Sequence, residues 1–262
     1  MEIIRFAEFD EICRDIEELK KSIPQLIEER DELLFTVCKN IEAKYMAAIG
    51  ALEYKVFEAE CYCRRLKRKA ELIRARLNRQ EKVDIKDIDR QLDLEMTEYT
   101  KLLDEKMQSL NNALSRLRGN VLSDDEATEL KALYKIAVKQ LHPDLNPDLP
   151  KPKKDLFLKA VEAYKNADLN TLRLICEAID GIITDTTEDS YAELIKRRDL
   201  LFASMNKIRS EIEQIKARYP YTMKDFVENE AEIREKRREL DCALCEYKKM
   251  SDMLNEKIKE MI

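Results

Sequence analysis

Apolar residues along this chain recur at helical spacing, and the alternation expected of strands is nearly absent. Ser22 followed by Pro24 reads as a helix start, because proline fits the first turn, where its missing N–H costs little. A long helix is predicted from there to about Asn78. Ile41, Tyr45, Ala48, Leu52, Val56 and Ala59 fall three or four apart, and Leu66, Ala70, Ile73 and Leu77 continue the seam as a coiled-coil stripe. Gly50 sits inside it, a point of local weakness or bending. The segment from Asn78 to Asp84 breaks the pattern, and Asp84 suits the N-cap of a second helix. Leu92, Met96, Tyr99, Leu103, Met107, Leu110, Leu114 and Leu117 then resume the spacing to about Arg118. A short break between two long striped helices predicts an antiparallel hairpin.

The C-terminal part repeats the plan. Leu201, Met205, Ile208, Ile212, Ile215 and Tyr219 form one stripe, ending at Pro220. Thr222 suits the cap of the next helix, whose stripe includes Phe226, Ile233, Leu240, Leu244, Tyr247, Leu254, Ile258 and Met261. Between the hairpins, from about Asn120 to Gly181, lies a compact-looking segment with Pro143, Pro147, Pro150 and Pro152, four of the six prolines. The expected architecture is all-α. A helical hairpin occupies 1–119, a small helical unit 120–182, and a second hairpin 183–262.

Composition narrows the function classes. Charged residues make up 39% of the 262, aromatics only 6%, and there are three glycines and no tryptophan, which suits long helices with wide solvated faces. A net charge of -6 points to neither a nucleic-acid binder nor an acidic tail. No stretch approaches the roughly 18 apolar residues of a membrane span. Met1-Glu2-Ile3-Ile4-Arg5 lacks a basic lead and a long apolar segment, which argues against a signal peptide. Seven cysteines without a compact framework read as reduced thiols in a cytoplasmic protein.

The chemistry concentrates in the middle segment. Ser123 followed by Asp124, Asp125 and Glu126 is a helix cap with acidic residues at the positive end of the dipole. The helix behind it carries Leu130, Leu133, Tyr134, Ala137 and Leu141 near one face, and Lys131, Lys135 and Lys139 as a basic stripe. Pro143 ends that helix. A proline-bearing loop runs to about Lys153, and a second helix buries Leu156, Phe157, Ala160, Val161 and Tyr164.

Leu133-Tyr134-Lys135 through Leu141-His142-Pro143-Asp144, then Asn146, resembles the second helix and signature loop of J-domains, the DnaJ-like family. Phe157, Ala160, Ala163 and Tyr164 are similar to that family's third helix, and Val121-Leu122-Ser123 lies where the family turns into helix two. The resemblance covers roughly residues 105–180. It implies a co-chaperone that docks on a DnaK-type ATPase and favours hydrolysis and closure on a client. His142, Pro143 and Asp144 would form the docking loop with Asn146, and Lys131, Lys135 and Lys139 would steer an acidic partner surface. The chain departs from the family at Leu145 and Ile136, where basic residues are usual, and lacks both the Gly/Phe-rich linker and the zinc region. The first helix of the unit is expected from the end of the preceding long helix, near Leu110–Leu117, and Leu169–Ile175 replaces a basic fourth helix.

Other constellations weigh less. Cys242 and Cys245 form a C-x-x-C, and Cys61 and Cys63 a C-x-C, yet residues two apart on a helix diverge, so packed thiols are favoured over zinc. Residues 61–82 carry nine basic residues against Glu71 and Glu81, which reads as a solvated coiled-coil face or a pair for an acidic helix, with nucleic acid or anionic lipid as the lesser alternative. With no phosphate-binding glycine loop and no catalytic constellation, neither enzyme activity nor a cofactor is expected. The resulting expectation is an adaptor whose hairpins bind an unidentified target or self-associate. Its rival is a coiled-coil scaffold whose J-like fold no longer engages a chaperone.

Overall fold

The computed structural model describes residues 7–118, 122–179 and 190–262, and among them every regular element is helical. The elements are α1 (Ala7–Glu32), α2 (Cys38–Tyr45), α3 (Ala51–Asn78), α4 (Ile85–Glu95), α5 (Thr97–Arg118), α6 (Asp124–Leu141), α7 (Lys151–Lys165), α8 (Leu169–Ile179), α9 (Tyr191–Lys216), α10 (Lys224–Glu228) and α11 (Glu230–Met261). Met1–Arg5, Val121, Gly181 and the expected segment boundaries at 119–120 and 182–183 lie outside the described residues. No described helix is long and apolar enough to cross a membrane.

Helix caps follow local chemistry. Ser123 and Glu126 close a reciprocal capping box at α6, and Ser190 and Glu193 close another at α9. Asp84 caps α4 as expected, accepting from the N–H groups of Lys86 and Asp87. Thr222 does not cap the last long helix. It lies in a 3-10 turn (Tyr221–Met223), short α10 intervenes, and Asn229 caps α11 by accepting from Ala231 and Glu232.

The first helix starts earlier than Ser22–Pro24 suggests, at Ala7, and Pro24 lies inside it. An interior proline costs about 3 kcal/mol. Ile23 and Ile27 on either side are wholly buried, Ile12, Ile16 and Leu19 nearly so, and each large apolar side chain returns about 1.5–3 kcal/mol. Burial outweighs the lost hydrogen bond. Two π-helical turns, Leu33–Val37 and Met46–Gly50, separate α1, α2 and α3. The extra residue in a π turn rotates the following face by roughly 100°. The stripe Ile12, Ile16, Leu19, Ile23, Ile27 continues at helical spacing to buried Asp31, and the first π turn accounts for the five-residue step from Leu33 to Cys38. Gly50 closes the second turn. A Cβ there would sit 2.9 Å from the Met46 sulfur and 3.2 Å from a Leu110 methyl, so its small size serves close approach.

The described residues form two compact units, each discontinuous in sequence. One unit combines 7–39 with 122–179 and 190–222, and the other 40–118 with 223–262. In the first, α9 lies on α1 in parallel sense: Tyr191 meets Phe9 near the starts, and Lys216 pairs with Glu29 near the ends. Helices α6, α7 and α8 pack on one another, and α1 packs on α6. In the second unit, α4 and α5 return antiparallel along α3, while α11 runs parallel to α3, with Arg237 bonded to the Ala48 carbonyl and Cys63 to that of Tyr247. The helix partners of α9 and α11 are therefore α1 and α3, not each other's hairpin arms.

Charge completes the second unit. Arg65, Lys69 and Arg76 pair with Asp93, Asp89 and Asp87 of α4, and Arg68 bonds Glu95. The basic stretch thus faces an acidic helix. For the first unit, replacing the fully buried Ile27 by alanine is expected to cost about 2–5 kcal/mol in urea unfolding. A loss below 1 kcal/mol would mean that α1 is not part of this core.

Candidate functional site

The His142–Pro150 loop joins α6 to α7, which run antiparallel: Tyr134 stacks on Tyr164, ring centroids 4.1 Å apart, and His142 meets Phe157 edge-on at 5.0 Å. The stacked tyrosines stiffen the hairpin beneath the loop. Burial pushes both phenols well above their ordinary value, with Asp31 reinforcing the effect on Tyr134. The Tyr164 hydroxyl is buried with no hydrogen-bond partner among the described residues.

Backbone and side-chain bonds fix the loop. The His142 N–H donates to the Val138 carbonyl and ends the helical ladder, and the His142 carbonyl accepts from the N–H groups of Leu145 and Asn146. The Asn146 amide donates to the carbonyls of Lys139 and Gln140, which α6 leaves open at its C-terminus. Lys154 donates to the Pro147 carbonyl. Leu145 is only 3% exposed and belongs to the core. Leu145 is thus a hydrophobic anchor of the loop.

His142 itself is 9% exposed. Its Nδ1 accepts the Asp144 N–H at 3.1 Å, which places the proton of the neutral ring on Nε2. Burial lowers its pKa below the ordinary 6.5, although Asp144 pulls the other way. The histidine orders the loop, and Asp144 is its exposed charge. One Asp144 oxygen accepts from the Ser204 hydroxyl of α9 at 2.5 Å.

The lysine stripe divides. Lys131 and Lys135 are half-exposed but paired with Glu32 and Glu28 of α1, at 2.5 and 3.2 Å. Their charge is compensated within the unit. Lys139 is exposed and has no ion-pair partner among the described residues. Between the two pairs sits Asp31, 2% exposed, accepting from the Tyr134 hydroxyl and from Arg30, which also reaches Glu211 of α9. The element that completes the helical unit is therefore α1. Leu110–Leu117, expected to supply it, belong to the other unit. The signal for α1 was its clean stripe from Ile12 to Ile27; Pro24 masked it.

Cys61 and Cys63 are buried, and burial pushes both thiols up, whereas Cys242 and Cys245 are exposed. No group of three or more potential metal ligands forms among the described residues. Compared with family models, curated proteins and solved structures, the chain gives no match in any of the three.

Two outcomes follow from this geometry. Tyr134→Phe removes a donor from a buried carboxylate and is expected to cost about 1.5–3 kcal/mol, measured by denaturant unfolding; an unchanged midpoint would mean that Asp31 does not need this partner. For His142 the folded-state pKa is lowered, so the unfolded chain takes up the proton first. Its contribution to stability is complete above about pH 6.5 and declines as pH falls from there towards the lowered value. Stability measured between about pH 5 and 7 should flatten in His142→Gln relative to wild type. Identical slopes would place the acid sensitivity elsewhere.

Proposed function

We propose that the chain is a J-domain-type co-chaperone that docks on a DnaK-type ATPase and stimulates its hydrolysis, working as an adaptor in the cytoplasm. The observation that carries this reading is an exposed Asp144 carboxylate held at the tip of an antiparallel helix pair by a buried, neutral His142. Such a carboxylate is preorganised for a charge-assisted hydrogen bond to a donor on the partner. Hydrolysis is the partner's chemistry; this chain provides no catalytic group and takes no cofactor. Pro143 sets the turn and Asn146 closes α6 behind it, so the two hold the loop while Asp144 makes the contact.

The second unit, with its long α3 and α11, would select the target or associate with another copy. A scaffold reading is favoured by specific observations as well: His142, Leu145, Lys131 and Lys135 all have intramolecular uses. Asp144 has one as well, the bond from Ser204, but its carboxylate stays exposed after His142-Pro143, with its other oxygen open to a partner's donor. The test is single-turnover ATP hydrolysis by a DnaK-type chaperone, with wild type and Asp144→Asn. Asp144 is exposed, so the variant should fold within about 0.5 kcal/mol of wild type while stimulation drops to the unstimulated rate. Equal stimulation by both, or none by wild type, sinks the co-chaperone reading and leaves the scaffold.

A further inference from the structure

The loop does not stand alone at the surface. Pro143, Asp144 and Pro147 form one wall of an open groove of about 370 Å³, and α9 forms the other through Arg197, Leu200 and Lys207. That second wall is firmly held. Leu201, Met205 and Ile208 of α9 are buried in the core that also takes Leu141 and Leu145, and Arg30 bonds Glu211 further along. Leu200, next to buried Leu201, is 62% exposed. A single exposed leucine is ordinary, but this one faces two prolines across a groove whose position is fixed by packing on both sides.

Charge distinguishes the groove further. Near the loop, Lys131 and Lys135 are compensated by Glu32 and Glu28, Leu145 is buried and Ile136 is uncharged, while Lys139 and Lys151 remain exposed. Lys207 is exposed with no ion-pair partner among the described residues, and Arg197 shares its wall. The groove therefore offers an apolar floor, a basic rim on α9 and the Asp144 carboxylate opposite.

We propose that this groove, completed by α9, is the docking surface for the ATPase partner. Its occupant is a short extended segment of that partner, with an apolar side chain against Leu200 and the prolines and a carboxylate at Lys207. This rests on the co-chaperone reading above. The basic rim selects the acidic segment and speeds encounter, while the preformed walls reduce the ordering cost of binding. Arg197, Leu200 and Lys207 thereby become specificity determinants outside the helix–loop–helix itself.

The test titrates the full-length chain into a DnaK-type chaperone and reads single-turnover hydrolysis. Leu200→Glu and Lys207→Glu should each raise the half-saturating concentration about tenfold or more, with the maximal rate retained at saturation. Lys207→Arg should behave as wild type, and the salt dependence of half-saturation should weaken in Lys207→Glu. Far-UV circular dichroism and thermal unfolding check that both charge variants stay folded. Wild-type half-saturation in both, beside a defective Asp144→Asn, would overturn the groove and leave the co-chaperone reading intact. If wild type itself fails to stimulate, the two readings fall together.

Discussion

Asp31 lies on α1 almost out of reach of water, and a carboxylate in that position is tolerated only when its charge and lone pairs are satisfied. Arg30 and the Tyr134 hydroxyl do so, and Arg30 extends the chain of contacts to Glu211. One buried group thus ties α1, α6 and α9 together. The flanking Lys131–Glu32 and Lys135–Glu28 pairs are half-exposed and contribute only about 0–1 kcal/mol each. Their value is geometric: with Asp31 between them they set the register of α6 on α1. Breaking the buried triad costs several times more than breaking either surface pair. The loop at the end of α6 inherits its position from that register.

Local features of this arrangement were legible in the sequence. The capping signals at Ser123 and Asp84, the stripe from Leu201 to Ile212, and the helix–loop–helix around His142 each depend on residues a few positions apart, and each takes its expected form. The misreadings have a common cause. Pro24 looked like a boundary because local rules weigh a missing N–H and cannot weigh the burial of Ile23 and Ile27. Helix pairing was assigned to neighbours in sequence, whereas α1 with α9 and α3 with α11 are pairs between distant segments. Nothing in the stripe of α9 says which other stripe will cover it. Tyr134 and Asp31 are 103 positions apart, so their bond has no local signature.

Charge stripes gave a second lesson. The lysines of α6 read as a surface offered to a partner, and the arginines of α3 as a solvated face or the pair of an acidic helix. In each case the opposite charge comes from this chain: Glu28 and Glu32 for the first, and Asp87, Asp89, Asp93 and Glu95 for the second. With charge so abundant and almost evenly balanced, internal pairing is the default. The informative cations are those left over. Around the loop these include Lys139 and Lys207, which belong to different helices far apart in sequence.

The loop illustrates how a local motif becomes dependent on distant chain. Its residues are contiguous, and their hydrogen bonds to one another would exist in a short peptide's best conformation. What a peptide could not supply is the burial of His142 and Leu145, because the core that receives them contains Ile23, Ile27 and Leu33 from the N-terminal helix and Leu201 and Met205 from α9. Without that core the imidazole would be solvated and free to protonate, and the Asp144 N–H would lose an acceptor. The exposed carboxylate would then swing with the loop. A rigid Asp144 therefore requires α1 and α9 in place. The support of the loop is the discontinuous unit that packs α1 and α9 against α6, α7 and α8.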